Sequence, residues 1–162
     1  MEPDRVKQAL QHVPCGVLIV TTLDQEQRPV GFTASSFVAV SLSPATVLVC
    51  LSHEAACHGA FQQAQRIVLN ILQGHHEPLA RKFATRSVNK FLDAGFVHGP
   101  HGIPVLPDAL IRLSCRVIGR HPYSDHTIMI AQVEQLSQAS AGDALVSYRR
   151  RLLPMVLADA AP

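Results

Sequence analysis

Apolar and polar positions alternate in short blocks along this chain. Cys15–Thr22 (CGVLIVTT) is a β-branched apolar run of strand length. Asp24–Arg28 is polar turn material, and Pro29–Phe37 (PVGFTASSF) resumes the strand pattern, so the two runs predict a hairpin. Val38–Leu42 prolongs the second strand until Ser43-Pro44 breaks it, and Thr46–Leu51 (TVLVCL) predicts a third. The period then changes. Ala55–Gln65 (AACHGAFQQAQ) suits a helix and Ile67–Leu72 (IVLNIL) a strand. Pro78–Thr85 (PLARKFAT) predicts a helix with Pro near its start, where a missing N–H matters little, and with Leu79 and Phe83 at helical spacing. Val88–Leu92 predicts another short helix, and Gly95–Pro107 a loop. Ala109–Gly119 and His126–Val133 alternate as strands, Leu136 prolonging the second, and Leu145–Leu153 closes the chain with an apolar–basic segment. At the other end, Glu2–Val13 predicts a helix with Val6, Ala9, Leu10 and Val13 on one face, stopped by Pro14.

The pattern gives about six strands, with helices interrupting them rather than alternating with them. Regular β-α-β winding is excluded, and a closed antiparallel β-barrel with helices on its outside fits. No GxGxxG follows the first strand, and no GxxxxGK[ST] occurs.

Composition narrows the function classes. A length of 162 residues suits a single domain, 1–162. Hydrophobic residues at 48% against 16% charged exclude a disordered chain. A formal net charge of +2 makes nucleic acid a poor partner, and with no Trp and 5% aromatics the chain is no stacking platform. No apolar run approaches the ~20 residues of a spanning helix, and no apolar signal core follows the charged start, so no membrane partner is expected and the protein reads as cytoplasmic. Cys15, Cys50, Cys57 and Cys115 then read as reduced thiols.

Several groups of residues could carry chemistry. Thr33-Ala34-Ser35-Ser36 sets three hydroxyls and a small side chain between two Phe residues, where a flat ring could approach the backbone and hydroxyls meet its polar edge; a strand with a solvated hydroxyl face has the same pattern. Cys50, Leu51 and Ser52 reach a rim at a strand end. Arg81 and Lys82 beside Phe83 could hold a phosphate, or form an ordinary solvated helix face. His126 opens a strand behind Asp125, which could orient it. Cys50, His53, Cys57 and His58 have the density of a zinc site but an adjacent ligand pair that suits tetrahedral geometry poorly, so no metal is expected. His75-His76 and His98/His101 read as solvent-facing loop residues.

The ordered set GVLIVTT, GFTASSF, SLSP, TVLVCL, VLNIL, LARKFA, GIPVL, RLSCRV, SDHTIMIAQV and LVSYRRR resembles the flavin reductase component of two-component flavin-dependent monooxygenases, from about Val13 to Pro154. The resemblance implies a mainly β fold, an antiparallel split β-barrel of Greek-key type that binds FMN, with a few flanking helices. It implies an NAD(P)H:flavin oxidoreductase that uses FMN or FAD with NADH or NADPH and passes reduced flavin transiently to a monooxygenase. A flavin-binding module without turnover, a carrier or sensor, is the alternative. Family members bind flavin at or near a homodimer interface, which implies a homodimer here. Thr33–Ser36 would then line the isoalloxazine ring, with Cys50, Leu51 and Ser52 continuing that wall. Arg81, Lys82 and Phe83 would meet the phosphate end, His126 the nicotinamide side as the catalytic residue, and Tyr148 and Arg149 would close over the site. Two departures, Pro44-Ala45 and Ser124-Asp125-His126, keep small residues where the family has others. The third, Leu152 in place of an aromatic after the arginines, bears on the nicotinamide or dimer contacts.

Overall fold

The structure is a computed structural model and describes residues 2–86 and 89–156. In chain order the elements are α1 (Pro3–Leu10), β1 (Cys15–Gly16), β2 (Leu18–Leu23), β3 (Pro29–Ala34), β4 (Val38–Leu42), β5 (Ala45–Ser52), α2 (His58–Gln63), β6 (Arg66–Ile71), α3 (Glu77–Phe83), β7 (Val97–His98), β8 (Pro104–Val105), β9 (Ile111–Tyr123), β10 (His126–Gln138), β11 (Ala144–Tyr148) and β12 (Arg151–Met155). Within the run CGVLIVTT, Val17–Val20 are all apolar because they are buried on both faces. Leu18 and Val20 point into an interior shared with Phe32, Val49, Leu69 and Met129. Val17 and Ile19 point the other way, under α3, with Ala80, Phe83 and Leu145. Gly31 permits this second layer: a Cβ there would lie 2.9 Å from the Val20 carbonyl and 3.1 Å from the Phe83 ring.

Seven strands form one antiparallel sheet in the order β3-β2-β6-β9-β10-β5-β4. Its two edge strands, β3 and β4, are consecutive in the chain. Val38–Leu42 therefore does not prolong the preceding strand. The chain leaves the β2 ladder at Ala34 and re-enters at Val38 opposite Leu48, on the far edge. Ser35, Ser36 and Phe37 make the crossing. The Ser36 hydroxyl accepts the Cys50 N–H at 2.9 Å and donates to the Cys50 carbonyl at 3.3 Å. The Ser36 side chain thus ties the crossing segment to β5 beyond the end of its ladder with β4, where a continuous ladder would close a barrel, and the expected closed barrel is a split one. α2 packs over this interior through Phe61, fully buried and edge-on to Phe32 at 5.0 Å.

A small sheet, β1-β11-β12, lies beside the large one. Residues 17, 72 and 145 exchange backbone hydrogen bonds of 2.9 Å and join the two sheets. Strands are more numerous than the hydrophobic pattern predicts: β1, β7 and β8 are only two residues long, β4 is a strand of its own, and the closing apolar–basic segment forms β11 and β12. The predicted loop 95–107 contains the β7–β8 pair. β9 and β10 run to 13 residues each, past their predicted ends, with bulges after Ile130 and Val133. Helix α1 ends three residues before Val13 and buries none of its residues. α2 starts at His58 rather than Ala55, because 53–57 form turns. Of the predicted helix 88–92, Val88 lies outside the described residues, and 90–93 are turns.

Candidate functional site

The seam between the sheet edges opens into a cleft of about 440 Å³. β3 and its exit supply Thr33, Ala34, Ser35 and Ser36; the end of β5 supplies Cys50, Leu51 and Ser52; Phe83 and His126 are the other expected residues that line it. The walls are small: Ala34, Ala55, Ala56 and Ala84 face the cavity along with the serines. The hydroxyls are mostly used within the protein. Thr33 Oγ1 donates to the Ala80 carbonyl at 2.6 Å, pinning α3 to β3, and Ser36 is held by Cys50. Among the described residues the Ser35 hydroxyl has no such partner. The Cys50 N–H, spent on Ser36, is not free for a ligand, but alternate amides of a strand point the same way, so Ser52 N–H follows it toward the seam.

Arg81 and Lys82 do not line this cleft. Glu77 stands one helical turn before Arg81 and takes its guanidinium at 2.7 Å, and Lys82 Nζ donates to the Leu92 carbonyl at 2.5 Å on a separate cavity. The cations of the cleft are Arg86 and Lys90, from the segment after α3. Arg86 is exposed and 3.9 Å from Glu54. Lys90 Nζ donates to the carbonyls of Phe83 at 2.9 Å and Gly31 at 3.3 Å, and burial holds its pKa below the ordinary lysine value. The sequence carries a signal for Lys90, which stands beside Phe91 on the predicted helix 88–92, but none of that kind for Arg86. Cys57 also lines the cleft; burial pushes its thiol pKa up.

His126 sits at the first position of β10, opposite Ser52. Ser124 (φ 52°) and Asp125 form the tight turn from β9, so Asp125 folds back and accepts from His126 Nδ1 at 2.8 Å. The hydrogen bond to His126 holds the Asp125 pKa below the usual carboxylate range. With its proton on Nδ1, a neutral His126 keeps Nε2 available to a ligand. His126 and Ser35 also line a second, larger groove of about 930 Å³, between α1 and the β11–β12 turn. Val6, Leu10 and Val13 give it an apolar side, and Lys7, Arg149 and Arg150 a basic one. Tyr148 lies outside both cavities, edge-on to His12 at 6.4 Å.

Cys50, His53, Cys57 and His58 do not converge into a ligand set; His75, His76 and Asp108 are the group of described residues whose ligand atoms do. His76 is not solvent-facing as its sequence context predicts but 5% exposed. Its Nδ1 accepts the Gln73 N–H at 3.0 Å, so the ring proton of the neutral form sits on Nε2, 3.1 Å from Asp108. That tautomer caps a turn and leaves Nε2 no lone pair for a metal.

Residues 10–155 match the family model described as flavin reductase like domain. A protein of Streptomyces coelicolor named actinorhodin polyketide dimerase is 35% identical over 96% of this chain and 88% of its own length. The reductase component of a 4-nitrophenol 4-monooxygenase/4-nitrocatechol 2-monooxygenase of Rhodococcus opacus is 37% identical over 86% of this chain and 74% of its own. Among solved structures, the NADH:FAD oxidoreductase of Streptomyces globisporus, in complex with NAD and FAD fragments, superposes with a TM-score of 0.90 at 28% identity, covering 99% of this chain and 96% of that one.

Proposed function

The chain belongs to the flavin reductase-like family, and from that premise we propose that it is an NAD(P)H:flavin oxidoreductase that supplies reduced FMN or FAD to a partner monooxygenase. The observation that carries this reading is the meeting of two ligand cavities at Ser35 and His126. A flavin fits the seam cleft on its residues: small walls let a flat ring approach the backbone, and two cations stand at the same cavity.

When bound, the flavin supplies the redox chemistry by accepting hydride from the nicotinamide. The chain's part is placement. Ala34, Ser35 and the Cys50–Ser52 rim wall the ring. Ser52 N–H offers a donor for the edge that gains negative charge on reduction. Arg86 and Lys90, in place of Arg81 and Lys82, hold the phosphate end. His126, its ring fixed by Asp125, faces the second ring across the junction, and Arg149 and Arg150 attract the dinucleotide's phosphates into the groove. Both arginines adopt positive φ, 50° and 64°. Backbone held in that region at a turn displaying two cations supports a functional role.

The finer readings follow. Among the described residues no carboxylate faces the groove except Asp125, already bonded to His126, so nothing there rejects the extra phosphate of NADPH. The protein acts as a homodimer, supported by large apolar side chains left in solvent on α1 and β4. It works in a reducing compartment, the cytoplasm, as four free thiols support. Reduced flavin diffuses, so its partner need meet the reductase only briefly.

Steady-state oxidation of NADH and NADPH with free FMN or FAD tests the proposal. Turnover that depends on added flavin is expected. Tight flavin binding with no nicotinamide oxidation would instead make the protein a carrier.

A further inference from the structure

The head of β10 carries a polar cluster that the proposed chemistry leaves unused. Thr127 follows His126 directly and is 1% exposed. Its hydroxyl lies 3.1 Å from His53 Nε2, 3.1 Å from His58 Nε2 and 2.9 Å from Gln62 Nε2. Gln62 Nε2 is also 3.0 Å from His58 Nε2. His53 begins the segment after β5 and donates its N–H to the Asp125 carbonyl at 2.9 Å. His58 and Gln62 stand one turn apart on α2. One buried hydroxyl thus touches α2, the start of segment 53–57 and the strand head bearing His126. That segment is a wall of the seam cleft, through Glu54, Ala55, Ala56 and Cys57.

The protons can be counted. The hydroxyl has one proton and two lone pairs, and the amide two protons. Gln62 donates to Thr127 Oγ1 and to His58 Nε2, and Thr127 donates to His53 Nε2. Three of the four contacts then hold a proton; the fourth, Thr127 Oγ1 to His58 Nε2, holds one only when His58 Nε2 is protonated, and the Gln62 amide then loses His58 as its acceptor, so three bonds form in either state. The His53 and His58 rings stand 5.0 Å apart. The other charged or titratable groups around the cluster are Glu54 and Cys57 on the wall, Asp125 on the β9–β10 turn, and Arg120 of β9, whose guanidinium donates to the carbonyls of Phe61 and Ala64 on α2. Burial, then His53, holds the His58 pKa below the ordinary imidazole value.

We infer that Thr127 is a positioning residue for the reaction: through His53, His58 and Gln62 its hydroxyl holds the 53–57 wall in register with His126. The inference rests on the flavin reading of the seam cleft.

The test compares Thr127→Val, Thr127→Ser and Gln62→Leu in the full chain, by FMN titration, NADH kinetics and amide hydrogen exchange of 53–57. Thr127→Val keeps the shape but strands three polar partners, so FMN affinity falls about tenfold and exchange of 53–57 quickens. Thr127→Ser restores both, which a general packing defect would not allow. Unchanged FMN affinity and exchange in Thr127→Val overturns the inference. Should Thr127→Val fail to fold, Gln62→Leu, which removes the amide from the same hydroxyl, decides by the same two readouts. Should wild type bind no flavin, the functional reading fails, while exchange of 53–57 in Thr127→Val still decides the tie.

Discussion

Lys90 and Arg81 are the sharpest pair of residues on which to test the site. Lys90 is anchored to two backbone carbonyls at the cleft, whereas Arg81 is exposed and engaged by Glu77. Lys90→Ala is expected to weaken FMN binding at least tenfold, about 1.4 kcal/mol, and Arg81→Ala to leave it within about twofold; fluorescence titration reads both. The reverse ranking would return the phosphate end to α3. His126 makes a second test. His126→Ala should raise the nicotinamide KM or lower kcat/KM with flavin affinity nearly kept. A variant that binds flavin poorly but uses NADH normally at saturating flavin would reverse the assignment of faces. The contrast between these residues also shows what the sequence could reveal. His126 lines the cleft from the strand start at which the sequence places it. Arg81 lies off the cleft although two cations beside an aromatic make a phosphate pattern, and the glutamate one turn earlier, which pairs with Arg81, belongs to no such pattern. Thr33 and Ser36 lie on the cleft as expected, but their hydroxyls serve the fold, a division of labour that only distances reveal.

At the scale of elements, the long apolar runs were legible and the connections were not. The double-faced burial of β2 and the β2–β3 hairpin follow from composition and spacing alone. The crossing at Ser35–Phe37 does not, because both flanking segments are strand-like and nothing local says that they belong to opposite edges. His76 was missed for a related reason: a histidine that caps a turn looks in sequence like one in a loop. That cap has a pH signature. Burial lowers the His76 pKa from its ordinary 6.5, against an opposing pull from Asp108. The unfolded chain therefore takes up the proton first as pH falls. The contribution of His76 is fully present above 6.5 and is lost as pH falls from there through the lowered folded value. Urea midpoints measured from pH 8 to 5 should decline less steeply in His76→Gln than in wild type. Parallel declines would mean that the ring titrates as freely folded as unfolded.

Among the described residues, β4 and the α1 face leave apolar side chains in water. β4 is an edge strand with Val38, Val40 and Leu42 at 52%, 51% and 90% exposure. α1 buries nothing, and Leu10 and Val13 are 63% and 53% exposed, as is Val156 of the tail at 68%. An edge strand with unpaired backbone and three protruding apolar side chains invites pairing unless it is covered, and no charge on β4 guards against it. The helix face, for its part, borders the groove that meets His126. A second copy of the chain covering these surfaces would shield the β4 edge and add wall to a groove that one small barrel leaves open. The expected mass in sedimentation at micromolar concentration is therefore twice 17.6 kDa. Leu42→Lys and Leu10→Lys place a charge on each surface in turn. Whichever lies at the interface should shift the protein to monomer and, because the groove would lose its second wall, raise the nicotinamide KM more than the flavin KM. A wild-type chain that sediments at 17.6 kDa and turns over fully would show that one barrel builds the whole site alone.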